Sequence, residues 1–175
     1  MTKTRFLVLH DYGMGGVWWW IHARSATEVV ETFADVEVVD DPAAVERAGS
    51  WEIDEVDVDS PDMPSGLDDM RARRDAMRAL PGFGALVGKD VVHLRRVWDE
   101  EDVPVVYLME VGPDGRRLRQ VEVPEGGTAV RSDPDDWAFN PPVVDLYDPK
   151  WVECEIGREE FEEAWAGAVP LEPST

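Results

Sequence analysis

The chain has 175 residues, and its 38 acidic side chains outnumber its 17 basic ones, which gives a formal net charge of −21. A surface with this charge repels nucleic acid and anionic membranes and favours cationic partners. Its 43% of hydrophobic residues suffices for a core, its single cysteine excludes an internal disulfide, and no apolar run is long enough to span a membrane. We therefore expect a cytoplasmic protein with one domain over residues 1–169.

The first predicted elements form a strand, loop, strand, helix and strand unit over residues 5–40. An apolar run and an aromatic run favour two strands joined by a glycine loop, at residues 5–9 and 17–23. Ser25 and Glu28 have the spacing of a capping box, which predicts the start of a helix. A valine-rich third strand follows this helix.

The middle of the chain predicts two helices with an acidic strand between them. Asp41 and Pro42 have the pattern of an N-cap followed by proline at the first helical position. The stretch "WEIDEVDVDS" alternates apolar and acidic residues, which is typical of an edge strand. Ser65 is the expected cap of the second helix, which carries a basic stripe of Arg71, Arg74 and Arg78.

A hairpin-plus-helix unit is predicted over residues 90–168. Gly-Pro-Asp-Gly at 112–115 is a turn signal between two strands. Phe161 and Trp165 lie on the apolar face of a helix that Gly157 caps, and we expect residues 170–175 to be a frayed tail. The sequence therefore predicts a single α+β domain, in which the N-terminal and C-terminal helices pack on one mixed, largely antiparallel sheet.

The C-terminal part of the chain, roughly 70 residues, resembles a small uncharacterised bacterial domain family. In that family a hairpin with an Asp-Gly turn leads through a proline-containing segment to a helix with Glu, Phe and Trp. The residues that carry the resemblance are Glu110, Asp114, Gly115, Arg119, Val121, Glu122, Asp148, Ile156, Glu160, Phe161 and Trp165. Some such domains are suspected toxin-immunity proteins, so the resemblance implies a protein-binding role.

Four residues near the glycine loop have general acid–base potential, namely His10, Asp11, Tyr12 and His22. They define one alternative function, a small hydrolase-like enzyme. The chain has no H-x-H, H-E-x-x-H or Cys-His spacing, and the loop lacks the second half of a phosphate-binding motif. We therefore predict no metal and no cofactor.

The run of three tryptophans from Trp18 to Trp20 lies in the second predicted strand. Alternation directs Trp18 and Trp20 to one face and Trp19 to the other. We expect an interior strand that is covered on both faces, with Phe161 and Trp165 against Trp18 and Trp20. The alternative places Trp19 beside Tyr12 on a partner-binding surface, because aromatic side chains dominate interface energetics.

The excess negative charge lies in two segments: residues 26–63 hold 13 carboxylates and one arginine, and residues 132–175 hold 12 carboxylates and two cations. If both predicted helices pack on one face of the sheet, their outer carboxylates form a continuous negative surface. The expected contributors are Glu28, Glu31, Glu159, Glu162 and Glu163.

The leading hypothesis is an acidic interaction module, such as an immunity-type inhibitor, that binds a basic toxin or nuclease. A third hypothesis is a structural or accessory protein whose charge reflects a GC-rich genome, since arginine occurs 14 times and lysine three times.

Overall fold

A computed structural model describes residues 2–100 and 102–173. The chain folds as two units, of which unit 1 ends at Phe83 and unit 2 begins at Gly84. Each unit has its own sheet, of four and five strands respectively, and most strand pairs are antiparallel. The predicted α+β class is confirmed, whereas the prediction that one sheet holds all the strands is wrong. Within the described residues no helix is both long and apolar enough to cross a membrane.

Among its described residues, unit 1 contains four strands and three helices, in chain order β1 (Thr4–Asp11), β2 (Gly16–Ala23), α1 (Ala26–Thr32), β3 (Glu37–Val39), α2 (Pro42–Ala48), β4 (Asp54–Asp57) and α3 (Leu67–Met77). The strand order is β3-β1-β2-β4. Strand β1 is antiparallel to β2 and β3, while β4 runs parallel to β2. The tryptophan strand is therefore interior and the acidic strand lies at an edge, as the sequence predicts.

Local signals determine where two of these helices begin. The Ser25 hydroxyl accepts a hydrogen bond from the Glu28 backbone N–H at 3.1 Å, and the Asp41 carboxylate accepts one from Ala44 at 3.0 Å. Helix α3 differs from the prediction, because its N-cap is Gly66 rather than Ser65 and no side chain caps it. Gly66 has φ = 90°, a conformation that favours glycine over serine at this position.

Both faces of the unit 1 sheet are covered. Trp19 packs against Phe33 and Leu67 on the face covered by α1 and α3. Trp20 packs against Leu7 and Ala48 on the opposite face, beneath α2. An interior strand with apolar residues on both faces explains why three consecutive tryptophans are tolerated here.

The expected contact of Phe161 and Trp165 with the tryptophans of β2 is wrong. Trp18 and Trp20 belong to a cluster of unit 1, where α2 supplies their apolar neighbours. Phe161 and Trp165 belong to a separate cluster of unit 2. The apolar pattern of the sequence would allow Trp18 and Trp20 to pack either against α2 or against the helix with Phe161 and Trp165. Only the tertiary structure distinguishes these two arrangements.

The arginine stripe of α3 is used to hold backbone carbonyl groups. Arg74 is fully buried and donates to the carbonyl oxygens of Val30 and Phe33 at the end of α1, at 2.9 and 3.1 Å. Arg78 reaches the carbonyl of Glu31 in the same way, and Arg71 reaches two carbonyls before α3. The stripe therefore caps carbonyl groups at the end of α1 and in the loop before α3, which is a structural role.

In the part of unit 2 that the structure describes there are five strands, one α-helix and one 3₁₀ helix, in chain order β5 (Val92–Trp98), β6 (Val105–Val111), β7 (Arg117–Pro124), β8 (Val130–Ser132), the 3₁₀ helix (Pro149–Cys154), α4 (Arg158–Gly167) and β9 (Val169–Pro170). The strand order is β5-β6-β7-β8-β9. Helix α4 covers one face, where Phe161 contacts Leu108 and Val121. The 3₁₀ helix covers the other, where Trp151 contacts Leu94 and Met109.

The tail predicted to fray over residues 170–175 is ordered at its start. Strand β9 pairs in parallel with β8, and the backbone N–H groups of Val169 and Leu171 donate to Ala129 and Arg131 at 2.9 Å. The edge of β8 supplies the hydrogen-bond partners of β9, and no local sequence pattern predicts this pairing. Residues 174 and 175 lie outside the described residues.

Candidate partner-binding surfaces

One end of the unit 1 sheet gathers exposed apolar and acidic side chains. The loop at residues 12–15 joins β1 to β2, and β4 begins at the same end because it runs parallel to β2. Tyr12 and Met14 in this loop are 60% and 94% exposed. Met14 therefore has no part in the core, and this loop exposes two large side chains within three residues.

Hydrogen bonds within the loop hold its shape. The Asp11 carboxylate accepts from the Gly13 N–H at 2.8 Å, and the Tyr12 N–H donates to the Gly15 carbonyl at 3.1 Å. Gly15 has φ = 153°, and a Cβ there would lie 2.8 Å from the Tyr12 hydroxyl oxygen. The glycines are therefore needed for a tight turn that presents Tyr12 and Met14.

An aromatic pair lies at the same end of the sheet. The rings of Trp18 and Trp51 meet edge to face with centroids 5.2 Å apart, and Trp51 is 39% exposed. Glu52 and Asp54 follow Trp51 and are exposed, and neither has an ion-pair partner among the described residues. We name this group the hairpin-end surface; it consists of Tyr12, Met14, Trp18, Trp51, Glu52 and Asp54.

The structure agrees with only part of the aromatic surface considered from the sequence. Tyr12 is exposed, whereas Trp19 is 2% exposed, which makes its assignment to a partner-binding surface wrong. Helices α1 and α3 cover its face of β2, and Gly66 lies in van der Waals range of its ring. Sequence reasoning missed Met14 and Trp51; the glycines on both sides of Met14 were the signal available for it.

The structure does not bring the two histidines of the enzyme alternative together. His10 lies opposite Val17 and His22 opposite Arg5 in the β1–β2 ladder. Their side chains therefore point to opposite faces of the sheet, about 17 Å apart along the strands. Among the described residues there is no group of three or more potential metal ligands.

Each histidine has a local structural partner. His10 Nδ1 donates to the backbone carbonyl of Asp35 at 2.7 Å and so supports the turn before β3. His22 Nε2 lies 2.6 Å from a carboxylate oxygen of Glu55, and both side chains are partly exposed to solvent. This hydrogen bond, with a smaller contribution from Arg5, holds the pKa of the Glu55 carboxyl below its usual value.

The carboxylates expected on two helices have different surroundings. Glu28 is half-buried and paired with Arg24 at 2.6 Å, whereas Glu31 is exposed. Glu159 and Glu163 are exposed on α4 and have no ion-pair partner among the described residues. The two helices pack on different sheets, α1 on β2 and α4 on β6 and β7, so the expectation that both lie on one face of one sheet is wrong.

Glu162 is partly exposed, as expected of an outer position, but it is also ion-paired. It lies 2.6 Å from Nη2 of Arg119, which also binds the buried Glu110 through two hydrogen bonds of 2.8 and 2.6 Å. His93 Nε2 lies 3.0 Å from the same Glu110 carboxylate. Arg119, and to a smaller extent His93, keep the pKa of the Glu110 carboxyl below its usual value despite burial.

This network of ion pairs links α4 to the sheet of unit 2. The Arg119 guanidinium lies 5.0 Å from the Phe161 ring centroid and 4.8 Å from that of Trp165. An arginine between two carboxylates and two aromatic rings is a favourable contact at a helix–sheet interface. Glu110, Arg119, Phe161 and Trp165 are among the residues that carry the resemblance noted above, and their contacts here are structural.

Comparison with known proteins assigns this chain to no family. A scan against protein-family models found no match, and neither curated proteins nor solved structures gave a significant similarity. The resemblance of the C-terminal residues to a bacterial domain family stays a prediction.

Proposed function

We propose that this protein is an acidic interaction module that binds a basic protein partner through the hairpin-end surface. In this proposal Tyr12, Met14 and the Trp18–Trp51 pair supply the apolar anchors. Glu52 and Asp54 supply the neighbouring negative charge. An immunity-type inhibitor of a basic toxin or nuclease is the form of this function that the C-terminal resemblance favours.

The observation that carries the proposal is the exposure of Met14 and Tyr12 in a loop held by its own hydrogen bonds. A loop that is already ordered loses less conformational entropy on binding than a flexible one. Methionine fits partner surfaces of varied shape because its side chain is flexible and polarisable. A preformed loop with two large exposed side chains therefore has the features of an interface anchor.

The charge of the chain favours a basic partner over an acidic or neutral one. Beside the apolar anchors, Glu52 and Asp54 are free of intramolecular ion pairs among the described residues. Glu159 and Glu163 on α4 add unpaired negative charge to the long-range field of a molecule whose net charge is −21. Such a field accelerates encounter with a cationic protein and opposes encounter with an anionic one.

Affinity capture with the intact protein as bait, from a lysate of the source cells, tests this proposal. We expect wild type to retain a protein with a net positive charge, and Tyr12→Ser with Met14→Ser to lose it. Both residues are exposed, so the double variant should fold as wild type does, with stability changes within about 0.5 kcal/mol.

Leu80→Ser is the matched control, because Leu80 is an exposed apolar residue of unit 1 outside the hairpin-end surface. The control should retain the same partner. An acidic captured protein, or equal capture by the Tyr12/Met14 variant and wild type, would contradict the proposal.

A further inference from the structure

The sheet of unit 2 carries a row of polar side chains on the face opposite α4. Arg96, Tyr107 and Glu122 lie directly across from one another on β5, β6 and β7. Arg117, at the start of β7, donates from Nη1 to Gln120 at 2.8 Å, and Gln120 donates in turn to Glu122 at 2.7 Å. Arg117 lies across from Val111 of β6, beyond a register shift in the β6–β7 ladder, and so shares this face with Arg96.

Arg117 has fewer partners than a half-buried cation requires. Its Nη1 hydrogen bond to Gln120 is the one it makes within the described residues, and no described carboxylate lies at ion-pair distance. Its Nε is the one side-chain N or O atom of the described chain that is buried without a hydrogen-bond partner. Burial lowers the pKa of Arg117, and the nearby charge of Arg96 lowers it further, against the opposing effects of Tyr107 and Glu122.

Arg96, like Arg117, has no carboxylate at ion-pair distance among the described residues. Its Cζ lies 5.3 Å from the ring centroid of Trp98 and 5.1 Å from that of Trp151, so two indoles flank it. This differs from Arg24 and Arg119, each of which binds two carboxylates.

We propose that this face of unit 2 binds a small oxyanion, a phosphate or carboxylate group, through the guanidiniums of Arg96 and Arg117. A guanidinium offers planar pairs of N–H donors that match the oxygens of either group. Glu122 is held by Gln120 on this face, and two guanidiniums exceed its one negative charge, so an anion can balance the remaining positive charge. A buried cation without a counter-ion is costly, so the bound anion also stabilises unit 2. This site is independent of the hairpin-end surface and of its partner.

Titration of the full-length protein with sodium phosphate, and separately with sodium acetate, tests the site. The readout is the set of arginine Nε–H signals in nitrogen–proton NMR spectra, with ionic strength held constant by sodium chloride. We expect the Arg117 Nε–H and Arg96 Nε–H signals to shift and saturate with at least one of the two anions. Saturation with phosphate alone assigns a phosphate ligand, and saturation with acetate alone assigns a carboxylate ligand.

Two variants test the site and a third is the control. Arg96→Gln and Arg117→Gln should each weaken binding by about tenfold or more, as the loss of a charged hydrogen-bond donor does. Arg95→Gln should leave the affinity within about twofold, because Arg95 is exposed and alternation places it on the other face. If Arg117→Gln fails to fold, the half-buried Arg96 still provides the comparison. Linear, non-saturating shifts with both anions, or equal binding by Arg96→Gln and wild type, would overturn the proposal.

Discussion

Replacement of Phe161 by alanine should lower the free energy of unfolding of unit 2 by about 3–5 kcal/mol. The ring is fully buried between α4 and the sheet, where it contacts Leu108 and Val121. It also lies 5.1 Å from the ring of His93 and 5.0 Å from the Arg119 guanidinium. Its removal leaves a cavity and weakens the contacts of the His93–Glu110–Arg119 network. Denaturant unfolding followed by NMR signals of unit 2 measures the change.

Glu163→Ala on the same helix is the control for this measurement. Glu163 is exposed and has no described ion-pair partner, so its replacement should change the free energy of unfolding by no more than about 0.5 kcal/mol. A loss below about 1 kcal/mol for Phe161→Ala would show that α4 does not dock on the sheet as described.

Replacement of Arg74 by methionine should destabilise unit 1 by about 3 kcal/mol or more. The methionine can fill part of the space, but the carbonyl oxygens of Val30 and Phe33 lose their donor in a buried environment. A hydrogen bond to a charged group contributes about 1.5–3 kcal/mol, and an unsatisfied buried carbonyl adds a further cost. Denaturant unfolding followed by NMR signals of α1 and α3 measures the effect.

The neighbouring Arg73→Met provides the control for Arg74. Arg73 is about half exposed and forms a surface ion pair with Asp35 at 2.6 Å, a type of interaction worth about 1 kcal/mol or less. We expect Arg73→Met to unfold close to wild type. Equal stability of the two variants would contradict the structural role assigned to the arginine stripe.

Local features of the fold could be predicted because neighbouring residues determine them. Asp41 and Pro42 at the start of α2, and Gly157 before α4, have the sequence positions that their cap geometry requires. The division into two sheets could not be predicted in this way. A capped amphipathic helix shows which of its faces is apolar, but its pattern does not identify the sheet that it covers.

The candidate surfaces show the same limit. The sequence placed Tyr12 at the surface, where it is 60% exposed, because the glycine loop around it is a local signal. It misplaced Trp19, because alternation assigns a side chain to a face but cannot tell whether helices cover that face. It placed Glu162 on the outer face of α4 but could not show its ion pair with Arg119, which joins residues 43 positions apart in the chain.

The central claim is that negative charge and the hairpin-end surface together bind a basic protein, and the salt dependence of association tests it most directly. With the captured partner, the association rate constant should fall by about tenfold or more between 0.1 and 1 M salt, because the Debye length falls from ~10 to ~3 Å. The dissociation rate constant should change much less. The double variant Glu159→Lys/Glu163→Lys should slow association and leave the dissociation rate constant unchanged. The double variant Glu52→Lys/Asp54→Lys should slow association and also speed dissociation. An association rate constant that is flat across this range, or unaffected by both charge reversals, would contradict the account.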